Sequence, residues 1–145
     1  MPNISRLTVT TKKDLEGINE LLRQLLHDKS EFVPVSIETL KKIIDDEKTI
    51  VVAARDQERI VGVGLVCVIQ KFRGRYGYVE DMVVDESLRG RGIGSAVMME
   101  LINCARADNI STLELSTRPE RAAANHLYQK LGFIQKETNV YRLKL

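Results

Sequence analysis

Arg89-Gly90-Arg91-Gly92-Ile93-Gly94 is the segment around which the other elements of this 145-residue chain fall into place. Ahead of it runs Tyr78-Val79-Glu80-Asp81-Met82-Val83-Val84, whose β-branched and aromatic content predicts a strand. The polar turn Asp85-Glu86-Ser87-Leu88 connects the two. Behind it Ile93, Val97, Leu101 and Ala105 recur four apart, so Ser95 to about Ala107 is predicted helical. Glycines in such a loop permit positive φ and close backbone approach. The orphan N–H groups that open a helix, together with its dipole, favour an anion there. Arg89 and Arg91 add charge and forked donors suited to phosphate. Arg89 to Ser95 (Arg89, Gly90, Arg91, Gly92, Ile93, Gly94, Ser95) is therefore predicted to hold a phosphorylated ligand. The third glycine comes one residue too early for the dinucleotide pattern G-x-G-x-x-G. No lysine follows Gly94, which excludes the ATP-type loop.

The loop resembles the pyrophosphate-binding pattern [Gln/Arg]-x-x-Gly-x-[Gly/Ala] of the GNAT N-acetyltransferase superfamily. Val83-Val84-Asp85 and Asn125-His126-Leu127-Tyr128-Gln129-Lys130-Leu131-Gly132-Phe133 resemble flanking signatures of the same family. The resemblance runs from about Arg55 to Phe133. It implies acetyl-CoA as cofactor and a mixed α/β (α+β) fold. The central twisted sheet would be mostly antiparallel and flanked by helices, with two strands splayed apart to form the acetyl-CoA cleft.

Working outward, the element order is strand, two helices, three strands, helix, strand, helix and closing strands. Ile4 to Thr10 suits a short strand. Lys13 to Asp28 carries Leu15, Ile18, Leu22 and Leu25 or Leu26 at helical spacing, with a cap at or near Thr11 and His27 at its end. Gly17 costs that helix about 1 kcal/mol relative to alanine. Pro34 interrupts, and Ser36 starts a second helix with Ile37, Leu40, Ile43 and Ile44 as its apolar stripe. Thr49 to Arg55 and Ile60 to Gln70 flank the polar turn Asp56-Gln57-Glu58-Arg59, which predicts an antiparallel hairpin. Gly62 and Gly64 in its second strand permit a bend or close packing. Ser111 to Ser116 reads as a strand and Arg121 to Leu131 as a helix ended by Gly132. In that helix Ala124, Leu127 and Leu131 form the buried stripe. Phe133-Ile134 and Val140 to Leu145 read as two final strands about Glu137-Thr138-Asn139.

The length fits a single domain, residues 1–145. A net charge of +2 is too small to imply nucleic-acid binding. No apolar stretch reaches membrane-spanning length, no signal segment opens the chain, and Cys67 and Cys104 lie in apolar runs without metal spacing. These features predict a cytoplasmic protein with no metal and no membrane or nucleic-acid partner.

Acetyl transfer from a thioester to an amine needs a neutral amine, donors facing the carbonyl oxygen and a proton for the leaving thiolate. Adjacent acids are unusual in a strand, so Glu80 and Asp81 are candidates for the base and for acceptor binding. The alternative is a charged outer face, or ion pairs with Arg73 or Arg75. Simple alternation puts Glu80 on the face of Tyr78 and Met82, which favours Glu80. Met82-Val83-Val84 breaks the alternation, either as a strand buried on both faces or as a β-bulge. The resemblance favours the bulge and implies that the pantetheine arm pairs along Met82, Val83 and Val84, with the N–H of Met82 or Val83 facing the thioester. It also implies that Tyr128 stands beside the cofactor sulfur as the acid, and that Asn125 contacts the cofactor arm. Glu80-Asp81 further resembles the amino-sugar branch of the superfamily, although the sequence beyond this strand departs from that branch. The acceptor implied is a small-molecule or peptide primary amine, and a homodimer is common in the resembled family. Two alternatives stand beside this reading. One is a non-catalytic acyl-CoA-binding or sensing module on the same fold. The other is a nicotinamide oxidoreductase with Glu114 as its ribose acid, which the antiparallel hairpin opposes.

Overall fold

Thr11 and Asp14 begin the first helix by satisfying each other's backbone. The Thr11 amide donates to the Asp14 carboxylate at 2.9 Å, and the Asp14 amide donates to Thr11 Oγ1 at 3.2 Å. The computed structural model describes residues 1–145. Its elements are β1 (Asn3–Arg6), α1 (Lys12–Leu25), α2 (Ile37–Asp45), β2 (Thr49–Asp56), β3 (Arg59–Lys71), β4 (Gly74–Val84), α3 (Ile93–Ala107), β5 (Thr112–Glu114) and α4 (Ala122–Lys130). Single 3₁₀ turns occupy Lys29–Glu31 and Glu86–Leu88. Ser36 caps α2 by accepting from the Thr39 amide at 3.1 Å. α1 ends at Leu25, so His27 lies beyond it and plays no part in its last turn.

The sheet order is β1-β2-β3-β4-β5. The first four strands are antiparallel, and β5 joins β4 in parallel through the α3 crossover. Helices cover both faces. On one face α3 and α4 pack over Ile50, Val52, Val61, Val66 and Val79. On the other, α1 and α2 pack over Val51, Ala53, Ile60, Val63 and Val83. Gly62 and Gly64 make room for α3. A Cβ at Gly64 would stand 2.7 Å from Leu101 Cδ1, and one at Gly62 would stand 3.3 Å from Ile93 Cγ2. The predicted close packing is therefore present, and it serves the helix rather than a neighbouring strand.

Asp14 is 1% exposed and ion-paired with Arg55. Burial alone would push its carboxyl up, but the Arg55 guanidinium and the Thr11 donors outweigh it and hold it below the ordinary carboxylate range. Asp14→Asn is expected to cost about 1.5–3 kcal/mol at pH 7, since it weakens hydrogen bonds to a charged group. The contribution of the charge is complete above the ordinary aspartate value of about 3.9 and fades as pH falls through the depressed folded value. Thermal unfolding should thus separate wild type from variant at pH 7 and bring them together near the acid end of the titration.

Three expectations change. β1 stops at Arg6, although Leu7 still donates to the Val51 carbonyl at 2.7 Å. β5 is only three residues long, because its partner β4 stays in register with it only from Tyr76 to Tyr78. The two closing strands are absent. Residues 134–145 lie outside every helix and strand and make no backbone hydrogen bond. Gly132 does end α4, at φ 92°.

Candidate active site

β4 carries the two-against-one irregularity that the broken alternation suggested. Val83 faces Val63 and Glu80 faces Leu65, so Gly64 alone stands opposite both Asp81 and Met82. The extra residue is Asp81, at φ 51°, a left-handed conformation that aspartate tolerates better than most residues. The bulge starts one residue before Met82-Val83-Val84 and reverses a facing assignment. Val79 packs with α3 and α4, and past the bulge Met82 and Val84 pack there too. Glu80 therefore lies on the α1–α2 face with its cross-strand neighbour Leu65, opposite Met82 rather than beside it.

Beyond Tyr78 and Glu114, β4 and β5 no longer pair, which leaves the β4 edge from Val79 to Val84 open. Asp85 donates its amide to the Val61 carbonyl at 2.9 Å. Alternation back along the strand turns the polar groups of Val83 toward β3, and those of Val84 toward the open edge. The Val84 carbonyl already takes a bond from Arg89 Nε there, at 3.2 Å. Of the two amides considered for the thioester oxygen, that of Val83 is turned to β3.

The glycine loop is held from below by Asp85, which is 3% exposed. Its carboxylate accepts from the Ser87 amide at 3.0 Å and hydroxyl at 2.6 Å, and it pairs with Arg59. Those Ser87 bonds, with Arg59, keep it ionised well below the usual carboxylate range despite burial. Gln24 of α1 adds a bond from the Glu86 amide at 3.0 Å. In the sequence Asp85 stood out only as a turn residue; its burial is a tertiary fact. Gly90 and Gly92 adopt φ 78° and 82°. α3 has no side-chain cap, and its first intrahelical bond runs from the Ala96 amide to the Gly92 carbonyl at 3.0 Å. The amides of Ile93, Gly94 and Ser95 thus emerge unspent at the helix mouth. A Cβ at Gly90 would meet nothing within 4 Å, and one at Gly92 only Met1 Cε at 3.8 Å. Arg91 and Arg89 are exposed at the rim. This open, donor-lined cradle fits a pyrophosphate. A cavity of about 240 Å³ beside it is lined by Met1, Pro2, Asp56, Leu88, Arg91 and Ile93. Nothing in the sequence signalled that the N-terminus would border the loop.

α4 closes the junction. A Cβ on Gly94 would stand 3.5 Å from Val84 Cγ2, 3.7 Å from Leu127 Cδ2 and 3.9 Å from Met82 Cε, so the α3 start, the β4 edge and α4 converge. Tyr128 is 8% exposed, while Ala124, Leu127 and Leu131 are only half-buried, which corrects the stripe read from the sequence. Its ring meets Phe133 edge-on, with centroids 5.9 Å apart. Burial raises the phenol, and Arg121 only partly opposes that, so the group stays protonated at neutral pH. Asn125 is turned inward to its own loop. Its Nδ2 donates to the carbonyls of Arg118 at 3.0 Å and Arg121 at 2.9 Å, leaving Oδ1 free. Glu80 and Asp81 form no ion pair with Arg73, Arg75 or any other cation, and desolvation lifts the Asp81 carboxyl above its usual range. Thr117, just past the β5 splay, has a buried hydroxyl with no hydrogen-bond partner. No group of three His, Cys, Asp or Glu side chains could hold a metal, and no helix is long and apolar enough to cross a membrane.

Comparison with known proteins agrees with this architecture. A glucosamine 6-phosphate N-acetyltransferase of Trypanosoma brucei brucei is 33% identical over 135 residues, covering 88% of this chain and 87% of that protein. Glucosamine 6-phosphate N-acetyltransferase 1 of Oryza sativa subsp. japonica is 36% identical over 85 residues, or 57% of this chain, and the chain spans only 50% of that relative's length. A solved Trypanosoma brucei acetyltransferase superposes with a TM-score of 0.78 at 30% identity, over 99% of both chains. The family model described as acetyltransferase (GNAT) family matches residues 16–133. The glycine cradle, the bulged β4 and the splayed β4–β5 edge belong to the matched region, and the chain is a member of the acetyltransferase (GNAT) family.

Proposed function

We propose that the protein is an N-acetyltransferase that moves the acetyl group of acetyl-CoA directly to a primary amine. The observation that carries this reading is the convergence at one junction of an unspent helix N-terminus, an open strand edge and α4, the helix that carries a buried tyrosine. Acetyl-CoA supplies an acetyl group activated as a thioester. The amides of Ile93, Gly94 and Ser95, with Arg91, hold the pyrophosphate. The edge of Met82 and Val84 takes the pantetheine amides as an added strand. The Met82 N–H faces the oxygen on which negative charge grows. Tyr128 Oη gives a proton to the departing sulfur. Held together in one cleft, amine and thioester need no covalent enzyme intermediate.

The base comes from the acid pair of β4. Glu80 lies on the face covered by α1 and α2, the side left for the acceptor, and takes the amine proton directly or through water. Glu80→Gln should lower kcat/KM by about 10²-fold or more. An unchanged rate would remove Glu80 from this role and leave Asp81 or water. The name of the Trypanosoma relative puts amino-sugar phosphates first in the acceptor screen.

Thermal unfolding with acetyl-CoA, CoA, NAD and ATP in parallel tests the cofactor. At about a hundred times its Kd a true ligand adds roughly 2.7 kcal/mol. For a domain of this size that is about 5–10 °C. CoA and acetyl-CoA should produce the shift, and Gly92→Val should abolish it. A β-branched residue at φ 82° is strained by about 1–2 kcal/mol and also fills the cradle. A shift with NAD or ATP instead would discard the reading.

A further inference from the structure

A hydrogen bond joins α1 to the glycine loop across 62 positions of sequence. Gln24 Oε1 accepts from the Glu86 amide at 3.0 Å. That amide opens the 3₁₀ turn Glu86–Leu88, and the first N–H groups of a helical turn have no partner inside it. The next amide, that of Ser87, goes to the Asp85 carboxylate. The turn that leads into Arg89 and Gly90 is therefore held from two sides. Asp85 ties it to the end of β4 and, through Arg59, to the start of β3. Gln24 ties it to a helix on the sheet face opposite α3.

Gln24 stands in the last turn of α1, and that turn is anchored in two directions. Inward, Leu21 is 1% exposed and shares a buried cluster with Val83 of β4. Outward, α1 fastens residues 26–36, the connection to α2. Asn19 Oδ1 accepts from the Val35 amide at 2.8 Å, and its Nδ2 donates to the Val35 carbonyl at 3.0 Å. The Arg23 guanidinium lies over the Phe32 ring, 5.0 Å from its centroid. Asp28 closes the turn between them by accepting from the Ser30 amide at 2.9 Å. The connection belongs to the α1–α2 side of the sheet, the side on which Glu80 lies. A continuous series of side-chain ties thus runs from the glycine loop, through Gln24, to the connection.

We propose that Gln24 is a positioning residue that couples the two sides of the cleft: a cofactor pyrophosphate in the glycine loop steadies the α1–α2 connection through it. The inference rests on the cofactor reading of that loop. A pyrophosphate binds best to a turn that already presents its amides, which is the arrangement with the Glu86 amide on Gln24. A ligand that prefers one arrangement shifts the population toward it. With Gln24 engaged, the last turn of α1 and the connection tied to it open less often. Coupling of binding is reciprocal, so an acceptor that steadies the connection tightens the cofactor in turn.

Amide hydrogen exchange, read by mass spectrometry with and without saturating CoA, tests the coupling. Gln24→Met keeps the length and the helix propensity of glutamine but replaces its oxygen by a thioether, which accepts only weakly. In the native protein CoA should slow exchange in two stretches, 86–95 and 22–35. In Gln24→Met, at saturation, it should slow exchange in 86–95 alone. The Kd for CoA should rise about 2–10-fold, as for the loss of one neutral hydrogen bond. Equal protection of 22–35 in the two proteins, no protection there in the native one, or an unchanged Kd overturns the proposal and leaves the cofactor reading standing. No protection of 86–95 by CoA in the native protein overturns both.

Discussion

Replacing Tyr128 by phenylalanine is expected to lower kcat by about 10²–10⁴-fold, the range that a positioned general acid supplies. The KM for acetyl-CoA should move little. The substitution removes one oxygen and keeps the ring in its edge-on contact with Phe133. The Tyr128 hydroxyl makes no hydrogen bond within the protein, so its loss leaves no orphaned partner behind. Stability should therefore stay within about 1 kcal/mol of wild type. Burial raises the phenol, and a tyrosine protonated throughout the neutral range can donate to a departing thiolate at any pH where the amine acceptor is also competent. Single-turnover kinetics separate the chemical step from product release. Equal turnover in the two proteins would take Tyr128 out of the mechanism and leave it a packing residue of α4.

The largest structural effect is expected at Leu101. It is fully buried at the centre of α3, and its Cδ1 occupies the space that Gly64 leaves open on β3. Leu101→Ala removes that contact without giving the sheet a way to collapse, because the glycine has no side chain to move in. The cost should be about 2–5 kcal/mol. That corresponds to a fall in Tm of about 6–15 °C. The complementary variant Gly64→Ala, which crowds Leu101, should also destabilise alone. Combined with Leu101→Ala it should recover part of the loss, since the added methyl fills part of the cavity. Thermal melts of the two single variants and the double variant measure this coupling. Strict additivity would mean that α3 does not rest on this glycine.

Much of the path to the site is written locally. The positive-φ glycines at 90 and 92, the apolar stripe of α3 and the Thr11 and Ser36 caps depend on residues within a turn or two of each other, and each lies where the sequence put it. The β2–β3 hairpin and the chain's stop at Gly132 are legible for the same reason. The facing of Glu80 was not legible. Period-two alternation placed it beside Met82, and a single extra residue in β4, visible only against its partner strand, turned it to the other side of the sheet.

The sequence by itself therefore determined the loop, the order of helices and strands as far as α4 and the family to which they belong, because turn chemistry, caps and periodicity are short-range properties of a chain. Only the tertiary structure decided that the Val83 amide turns toward β3, that Asp85 is the buried anchor beneath the loop and that Tyr128 is the buried member of α4. It also decided that Val140 to Leu145, a strand by every local signal, pairs with nothing in its own chain. Hydrogen-bond partners across a sheet and burial beneath another element are set by residues far away in sequence.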